Sequence, residues 1–432
     1  MNSTRVHIQS YGCSTNTADG EVLAGCLTQA GYRLEDSIQK ADVVIYNCCS
    51  VKGPTENRMI ELIKRTPKNK KIIVTGCLPL TSYQRLQKAA RFDAVTGPAA
   101  GSQIVDVMKR VVAGDKVATL KDALHSKPDL NLPRLTRNHI VSVIPISYGC
   151  LGACAYCCVV FARGRVRSYS INEVIARVEC DLASTAKEFW LTSQDAACYG
   201  RDLGTNLAKL VNSVCAVSGD FRVRVGMMTP NFALDMLEEL VEAFENEKVF
   251  KFLHLPVQSG DDEVLASMNR CYTVKEFKRI ADAFKTAFPE VTVATDVICG
   301  FPGESEEAFG NTLQFVRDTK PDIMNVSKFF PRPRTKAASM TKDVISQSEI
   351  KRRSRVMARL GKQLSMERNR RWIGWKGTVI VDEKGKVPGS WIGRNFAYKP
   401  VAIRSGSDLL GKTLRVEVVE AFGTYLAGAI VE

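Results

Sequence analysis

The sequence has no apolar run long enough to cross a membrane, so a helical span is excluded. Its opening residues, Met1-Asn-Ser-Thr-Arg-Val, lack the apolar core of a signal peptide, and a cytoplasmic location is expected. Histidine is scarce, at four in 432 residues; His125 and His139 stand alone, and each reads as a surface or packing residue. Acidic side chains are outnumbered: 46 Asp and Glu against 60 Lys and Arg leave a formal net charge of +14 and a pI near 9.1. That balance favours a polyanionic partner, nucleic acid being the commonest, although a merely basic cytosolic protein has the same composition. Cysteine, by contrast, is plentiful. Fourteen cysteines in a reducing compartment read as thiols and metal ligands rather than disulfides. The length suggests two to four domains.

One stretch organises the chain: Ser147-Tyr-Gly-Cys150-Leu-Gly-Ala-Cys154-Ala-Tyr156-Cys157-Cys158. Cys150, Cys154 and Cys157 stand at Cys-x3-Cys-x2-Cys spacing, and Gly149 and Gly152 let the loop curl back on itself. Clustered thiolates hold zinc or iron–sulfur clusters. A structural zinc takes four protein ligands, and this loop offers three, because Cys158 cannot easily turn onto the metal of its neighbour. Three ligands on a four-iron cluster leave one iron open to a substrate. Zinc remains the alternative. With the aromatic Tyr156 before its last cysteine, the loop resembles the signature of the radical S-adenosylmethionine (SAM) superfamily.

Residues 1–115 alternate strand and helix patterns. Short apolar runs over 41–47 and 71–75 suit buried parallel strands, and 5–10 alternates as a strand does, which together predict a small doubly wound α/β sheet. Cys13, Cys49 (with Cys48 beside it) and Cys77 each follow one of these strands. Strand ends of a parallel sheet share an edge, so three thiolates would converge there; buried small hydrophobes are the plainer reading. Gly12-Cys13-Ser-Thr-Asn16, Asn47-Cys48-Cys49-Ser50-Val51 and Thr75-Gly76-Cys77-Leu78-Pro79 resemble the three motifs of the methylthiotransferase family, whose N-terminal domain carries a second four-iron cluster. Aligning Asn47 and Val51 with that family's Asn-Thr-Cys-x-Val makes Cys49 the ligand.

Residues 116–137, with two prolines and no period, read as a linker. Residues 138–371 repeat strand–helix units, with strands near 141–146, 188–192, 222–226, 252–256, 291–298 and 323–329. Six such units, with the resemblance, imply a partial (β/α)6-type radical SAM barrel whose chemistry sits at the carboxyl strand ends. The resemblance extends through Ala162-Arg163-Gly164, Leu191-Thr-Ser-Gln194-Asp195, His254-Leu-Pro-Val-Gln258-Ser-Gly260, Met268-Asn-Arg270, Gly300-Phe-Pro-Gly303-Glu304 and Arg332-Pro-Arg334-Thr335. Arg334 departs from it, standing where glycine is common. Residues 348–376, with ten Lys/Arg and two Asp/Glu, read as a basic amphipathic helix that either packs one stripe on the barrel or touches RNA. Residues 372–432 turn to short strands and imply a small all-β, OB-like barrel, the TRAM domain of the family. Its Arg394, Asn395, Tyr398 and Lys399 suit phosphate contact and base stacking, although a small barrel also serves as a structural cap.

The resemblance implies a mechanism. SAM would bind the open iron of the Cys150/Cys154/Cys157 cluster, with Tyr156, Glu188 and Gln194 helping to hold it. One electron from a low-potential donor would release a 5′-deoxyadenosyl radical, which removes hydrogen from the substrate. The cluster on Cys13, Cys49 and Cys77 would hold or supply sulfur, and a second SAM the methyl group. Tyr11-Gly-Cys13-Ser-Thr-Asn16 looks most like the archaeal and eukaryotic branch, which implies tRNA carrying N6-threonylcarbamoyladenosine as substrate. Isopentenyladenosine in tRNA and a ribosomal-protein aspartate are the alternatives within the family. Outside it stand a non-catalytic iron–sulfur RNA-binding protein and a zinc-stabilised RNA-binding module.

Overall fold

The computed structural model describes residues 4–49, 53–121, 123–136 and 138–431. Met1, Asn2, Ser3, the Ser50 and Val51 of the middle cysteine motif, and Asp122 lie outside the described residues. The architecture is mixed α/β and ends in a closed five-stranded barrel.

Six parallel strands open the chain, in the order Arg33–Leu34, Arg5–Tyr11, Val43–Cys48, Lys71–Gly76, Ala94–Thr96, Val117–Thr119. The two central strands run apolar without alternation because helices cover both faces. Ser14–Gln29 and Gln103–Ala113 bury Leu23, Leu27, Ile104 and Met108 on one side, and Gly53–Arg65 buries Met59, Ile60 and Ile63 on the other. The strand Val117–Thr119 comes from the stretch read as linker. Two of its three residues are exposed, so it has no apolar signature, and pairing with Ala94–Thr96 alone makes it a strand.

Two three-stranded parallel sheets follow. One holds Val141–Pro145, Glu188–Thr192 and Arg222–Val225; the other holds Phe252–His254, Thr292–Cys299 and Ile323–Lys328. Backbone bonds from Phe250 N to Val223 O and from Met228 N to His254 O, each 2.9 Å, stitch the seam between them. The first and sixth strands do not pair among the described residues, so the barrel stays open.

The basic stretch forms the helix Gln347–Arg370, capped by Ser346, whose hydroxyl accepts from Glu349 N. Its buried stripe, including Ile350, Met357 and Leu364, lies along the sixth strand. A Cβ at Gly361 would stand 2.6 Å from Met324 Cε, which shows how closely the two approach. The final barrel pairs Lys376–Lys384, Ser390–Arg394, Pro400–Arg404, Leu426–Ile430 and Thr413–Ala421. Ser390–Arg394 was not expected: Gly393 interrupts its strand signature, yet a Cβ there would stand 2.9 Å from Val379, so close packing explains the glycine.

The residues read as an RNA contact are buried instead. Asn395 is 0 %, Lys399 2 % and Tyr398 7 % exposed. Lys399 Nζ bonds Asp322 at 2.9 Å and Asn369 at 3.0 Å. The Tyr398 ring packs on Phe250 and Phe252 at 4.9 and 5.1 Å, under the Arg394 guanidinium, which pairs with Asp382 at 3.0 Å. A cation beside an aromatic suits a nucleotide, but it equally suits a plug between two folded units, and here it closes the amino-terminal end of the open barrel. No helix of the described residues is long and apolar enough to cross a membrane.

Replacing Lys399 by Ala leaves the buried Asp322 with Arg368 as its remaining cation. Losing one partner of a buried pair costs about 3 kcal/mol. We expect a lower thermal midpoint and faster proteolysis near residues 371–376; an unchanged midpoint would show that the plug does not depend on this pair.

Candidate active site

Strand register places the N-terminal cysteines. Tyr11, Cys48 and Gly76 are direct neighbours across three parallel strands. The pairing runs one step further, from Cys49 N to Tyr11 O at 3.0 Å and from Cys77 N to Cys48 O at 2.8 Å. Cys13, Cys49 and Cys77 thus leave one sheet edge within two residues of each strand end. At Gly76, φ is +91° and a Cβ would stand 2.3 Å from the Cys48 carbonyl oxygen, so only glycine lets these loops approach. The fully buried Asn47 ties them together: its amide donates to Asn16 O at 2.7 Å and to Ser10 Oγ at 3.2 Å, and its carbonyl oxygen accepts from Asn16 Nδ2 at 2.5 Å. Burial pushes the Cys77 thiol up to about 12, against the pull of Arg163, and Cys49 and Cys13 add to the rise. Cys48 has other surroundings. It sits in the apolar cluster of Tyr46, Met59 and Leu78 and donates to the Tyr46 carbonyl at 3.5 Å.

The second cysteine loop is bound on every side. Gly149, with φ +83°, lets the chain pass where a Cβ would stand 2.1 Å from Arg165 O, and its N–H donates to Gln194 Oε1 at 2.6 Å. Ala155 N donates to Met268 O and Ala337 N to Ala155 O, both at 2.8 Å, while Asn269 Nδ2 reaches Ala153 O at 2.7 Å. Arg270 Nη1 donates to Cys154 Sγ at 3.2 Å. Gly152 N donates to Cys150 Sγ at 3.2 Å, and a Cβ on Gly152 would stand 3.3 Å from that sulfur and 3.6 Å from Cys154 Sγ. The glycine therefore keeps open the space that the thiols face. Burial raises the Cys157 thiol, helped by Cys154 and Cys158. A hydrogen bond with the buried Cys198 draws the Cys150 thiol down, and Cys198 Sγ also lies 3.3 Å from Asp195 Oδ2. Cys158 is buried and lies beside the guanidinium of Arg332.

The two cysteine loops adjoin. Val159–Arg163, the helix after Cys157, packs on Leu78–Thr81, the helix after Cys77. Arg163 Nη2 pairs with Asp19 Oδ2 at 2.6 Å, both side chains 2 % exposed, and Tyr148 OH donates to Asp19 Oδ1 at 2.6 Å. Burial alone would lower the Arg163 pKa, but Asp19, Cys77 and Cys13 outweigh it and raise it. Gln194 Nε2 reaches across to Thr15 Oγ1 at 3.3 Å, so Gln194 spans the gap between the loops. Tyr156 packs beside Ala155, Met268 and Phe301.

Glu188 is a correction. It is the first residue of its strand, about 13 Å from the strand's carboxyl end at 3.3 Å per residue. It is fully buried, accepts a hydrogen bond from Trp190 Nε1, and faces Asp382, Arg394 and Tyr398 of the plug. It lies at the closed end of the barrel, away from the cysteines. Sequence reasoning also missed Arg270 and Cys198. Each stood in a quoted motif or one turn beyond it, but their meeting with Cys154 and Cys150 depends on distant segments.

The donor sets fit a cluster better than zinc. A tetrahedral zinc at about 2.3 Å from each sulfur holds its thiolates about 3.8 Å apart. Among the described residues, the one set of three ligating atoms within 4.8 Å of one another is Cys150, Asp195 and Cys198. Neither cysteine trio closes that far, as thiolates on the corners of a larger four-iron cluster would not.

Comparison with known proteins gives the class first. Residues 144–316 match the radical SAM superfamily, and residues 5–97 match the family described as "Uncharacterized protein family UPF0004". The radical SAM methyltransferase TsrM from Kitasatospora setae shares the fold, with a TM-score of 0.55 at 11 % identity over 90 % of this chain and 80 % of that one. The chain is thus a radical SAM enzyme, with 4Fe–4S chemistry and SAM as its cofactors. A Pyrococcus horikoshii protein named "Probable threonylcarbamoyladenosine tRNA methylthiotransferase" is 41 % identical over 429 residues, 99 % of each chain. The Xenopus laevis protein named "Threonylcarbamoyladenosine tRNA methylthiotransferase" is 34 % identical over 99 % of this chain and 77 % of its own length. The chain belongs to the radical SAM methylthiotransferase family, in the archaeal and eukaryotic branch that these relatives represent.

Burial raises the Glu188 carboxyl to about 7, Asp382 adds to the rise, and Trp190 and Arg394 oppose it. The unfolded chain releases this proton near pH 4.5, so the folded chain loses stability as the pH climbs from there to 7. Above 7 it carries the full cost, roughly 3 kcal/mol at most. Glu188→Gln should match the wild type below pH 5 and melt a few degrees higher at pH 8. A difference that does not grow with pH would assign the titration elsewhere.

Proposed function

We propose that the enzyme converts N6-threonylcarbamoyladenosine beside the tRNA anticodon to its 2-methylthio derivative. In this reading Cys13, Cys49 and Cys77 hold one 4Fe–4S cluster and Cys150, Cys154 and Cys157 another. When bound, the clusters and two SAM molecules supply the radical, the sulfur and the methyl group. The observation that carries the reading is the junction of the two thiol trios through Asp19, Arg163 and Tyr148. A single substrate carbon between the trios could then meet both a radical and a sulfur source.

The chain's own residues have definite tasks. Gln194 accepts from Gly149 N and donates to Thr15, which fixes one loop against the other. Arg270 donates to the Cys154 sulfur and so holds the middle cysteine of the second loop in place. Tyr156 backs the second loop with apolar contact, which helps keep water from the radical. Substrate binding falls to exposed cations on the outer face of Gln347–Arg370, among them Lys351, Arg355, Arg359 and Lys362. The names of the relatives support threonylcarbamoyladenosine over the other nucleoside. The reaction takes place in the cytoplasm and draws its electron from a low-potential donor.

Anaerobic reconstitution should load about eight irons per chain, and about four after the three cysteines of either trio become alanine. Cells lacking the gene should lose 2-methylthio-N6-threonylcarbamoyladenosine from their tRNA, regain it with the wild-type chain, and fail to regain it with either triple variant. Intact levels in the deletion strain would reject the substrate. An iron content unmoved by either triple substitution would reject the ligand assignment.

A further inference from the structure

Cys198 stands against the second cysteine loop without belonging to its motif. It ends the short helical turn Ala196–Cys198, which follows the second barrel strand, and it is fully buried. Its sulfur shares a hydrogen bond with the Cys150 sulfur and lies 3.3 Å from Asp195 Oδ2. The three ligating atoms stand within 4.8 Å of one another. Asp195 is fixed from its other oxygen, which accepts from Thr229 N at 3.0 Å and from Ala197 N at 3.1 Å. Ala196 and Ala197 fill the same turn at 0 % exposure, so packing there asks only for a small apolar side chain. A thiol fills that space as a small hydrophobe and adds one weak donor, its S–H.

That donor has a definite acceptor once iron is bound. A ligating cysteine gives up its proton, so the Cys150 sulfur then only accepts. Gly152 N already reaches it at 3.2 Å, and Arg270 Nη1 reaches the Cys154 sulfur at the same distance. Each hydrogen bond to the sulfurs of an iron–sulfur cluster stabilises the added electron of the reduced state and so raises the reduction potential. We propose that Cys198 is a positioning residue that acts through Cys150: its S–H, shared with Asp195, donates to the iron-bound Cys150 sulfur and raises the potential of the cluster on the second loop. A raised potential makes that cluster easier for an external donor to reduce and a milder reductant of SAM. This rests on the reading that Cys150, Cys154 and Cys157 hold a cluster. A residue outside the cysteine motif thereby sets how strong an electron donor the enzyme requires.

The test uses the full chain with Cys13, Cys49 and Cys77 all changed to alanine, so that the second loop alone carries iron. Cys198→Ala and Cys198→Ser are made in that parent, and each protein is reconstituted anaerobically. The reduced cluster is then followed by electron paramagnetic resonance in a redox titration without SAM. About four irons per chain in every protein establish that folding and loading survive. Cys198→Ala removes the donor, and its midpoint should fall by about fivefold in the reduction equilibrium, or about 40 mV at 59 mV per tenfold. Cys198→Ser keeps a donor, and its midpoint should lie at or above the parent's. Cys198→Val, apolar and close to cysteine in size, carries the comparison if the alanine variant does not load. An unmoved midpoint in the apolar variant would overturn the proposal and leave the cluster reading standing. An equal fall in Cys198→Ser would also overturn it, by showing an effect of packing. Failure of the parent to take up iron would instead overturn the cluster reading, and this proposal with it.

Discussion

Parallel pairing in register is the constraint on which the rest of the molecule depends. Tyr11, Cys48 and Gly76 are aligned across three strands, and that alignment converts three cysteines scattered over 65 positions of sequence into one group. A slip of one residue in either central strand would carry every side chain from one packed core to the other, where the shapes do not match, so the register is strongly specified. The apolar cores under Val43–Cys48 and Lys71–Gly76 therefore serve the chemistry directly. They fix where each loop begins, and Asn47 and Gly76 fix how the loops then turn.

Bringing that sheet edge to the mouth of the open barrel requires a second kind of specification. Two buried ion pairs supply it: Arg163 with Asp19 at 2.6 Å and Arg332 with Glu56 at 2.5 Å. Such pairs contribute little net stability relative to apolar side chains of the same shape, but losing one partner is costly. Each one thus penalises a shifted docking more than it rewards the correct one. Arg332 and Arg163 both adjoin cysteines of the second loop or its helix, so the arrangement is fixed hardest where the two thiol trios meet.

Much of this was legible in the chain. The cysteine spacing at 150–157, the strand before each N-terminal cysteine and the six strand–helix units all rest on local pattern, and the structure has the strands in those places. What failed was non-local. Val117–Thr119 is a strand only because Ala94–Thr96 pairs with it, and Ser390–Arg394, interrupted by Gly393, only because Lys376–Lys384 and Pro400–Arg404 pair with it on either side. Glu188 and Gln194 flank one five-residue strand, and sequence could not say that they face opposite ends of a barrel. Arg270 and Cys198 meet cysteines about 116 and 48 positions away, a proximity that no single-sequence pattern encodes.

The fate of Arg394, Tyr398 and Lys399 carries a broader point about reading basic proteins. Cations next to aromatics are recognised by their chemistry, and the same chemistry closes an interface between two folded units as readily as it grips a nucleotide. Burial decides between them, and here it is almost complete. The surplus of positive charge must then be sought where it remains in solvent. Subtracting Arg352 and Arg353, spent on Glu304, Glu306 and Glu349, and Arg368, spent on Asp322, leaves Lys351, Arg355, Arg359 and Lys362 as the exposed cations of a basic face on Gln347–Arg370. That face is free to follow a polyanionic backbone because the helix's apolar stripe, and not its charge, is what holds it to the fold.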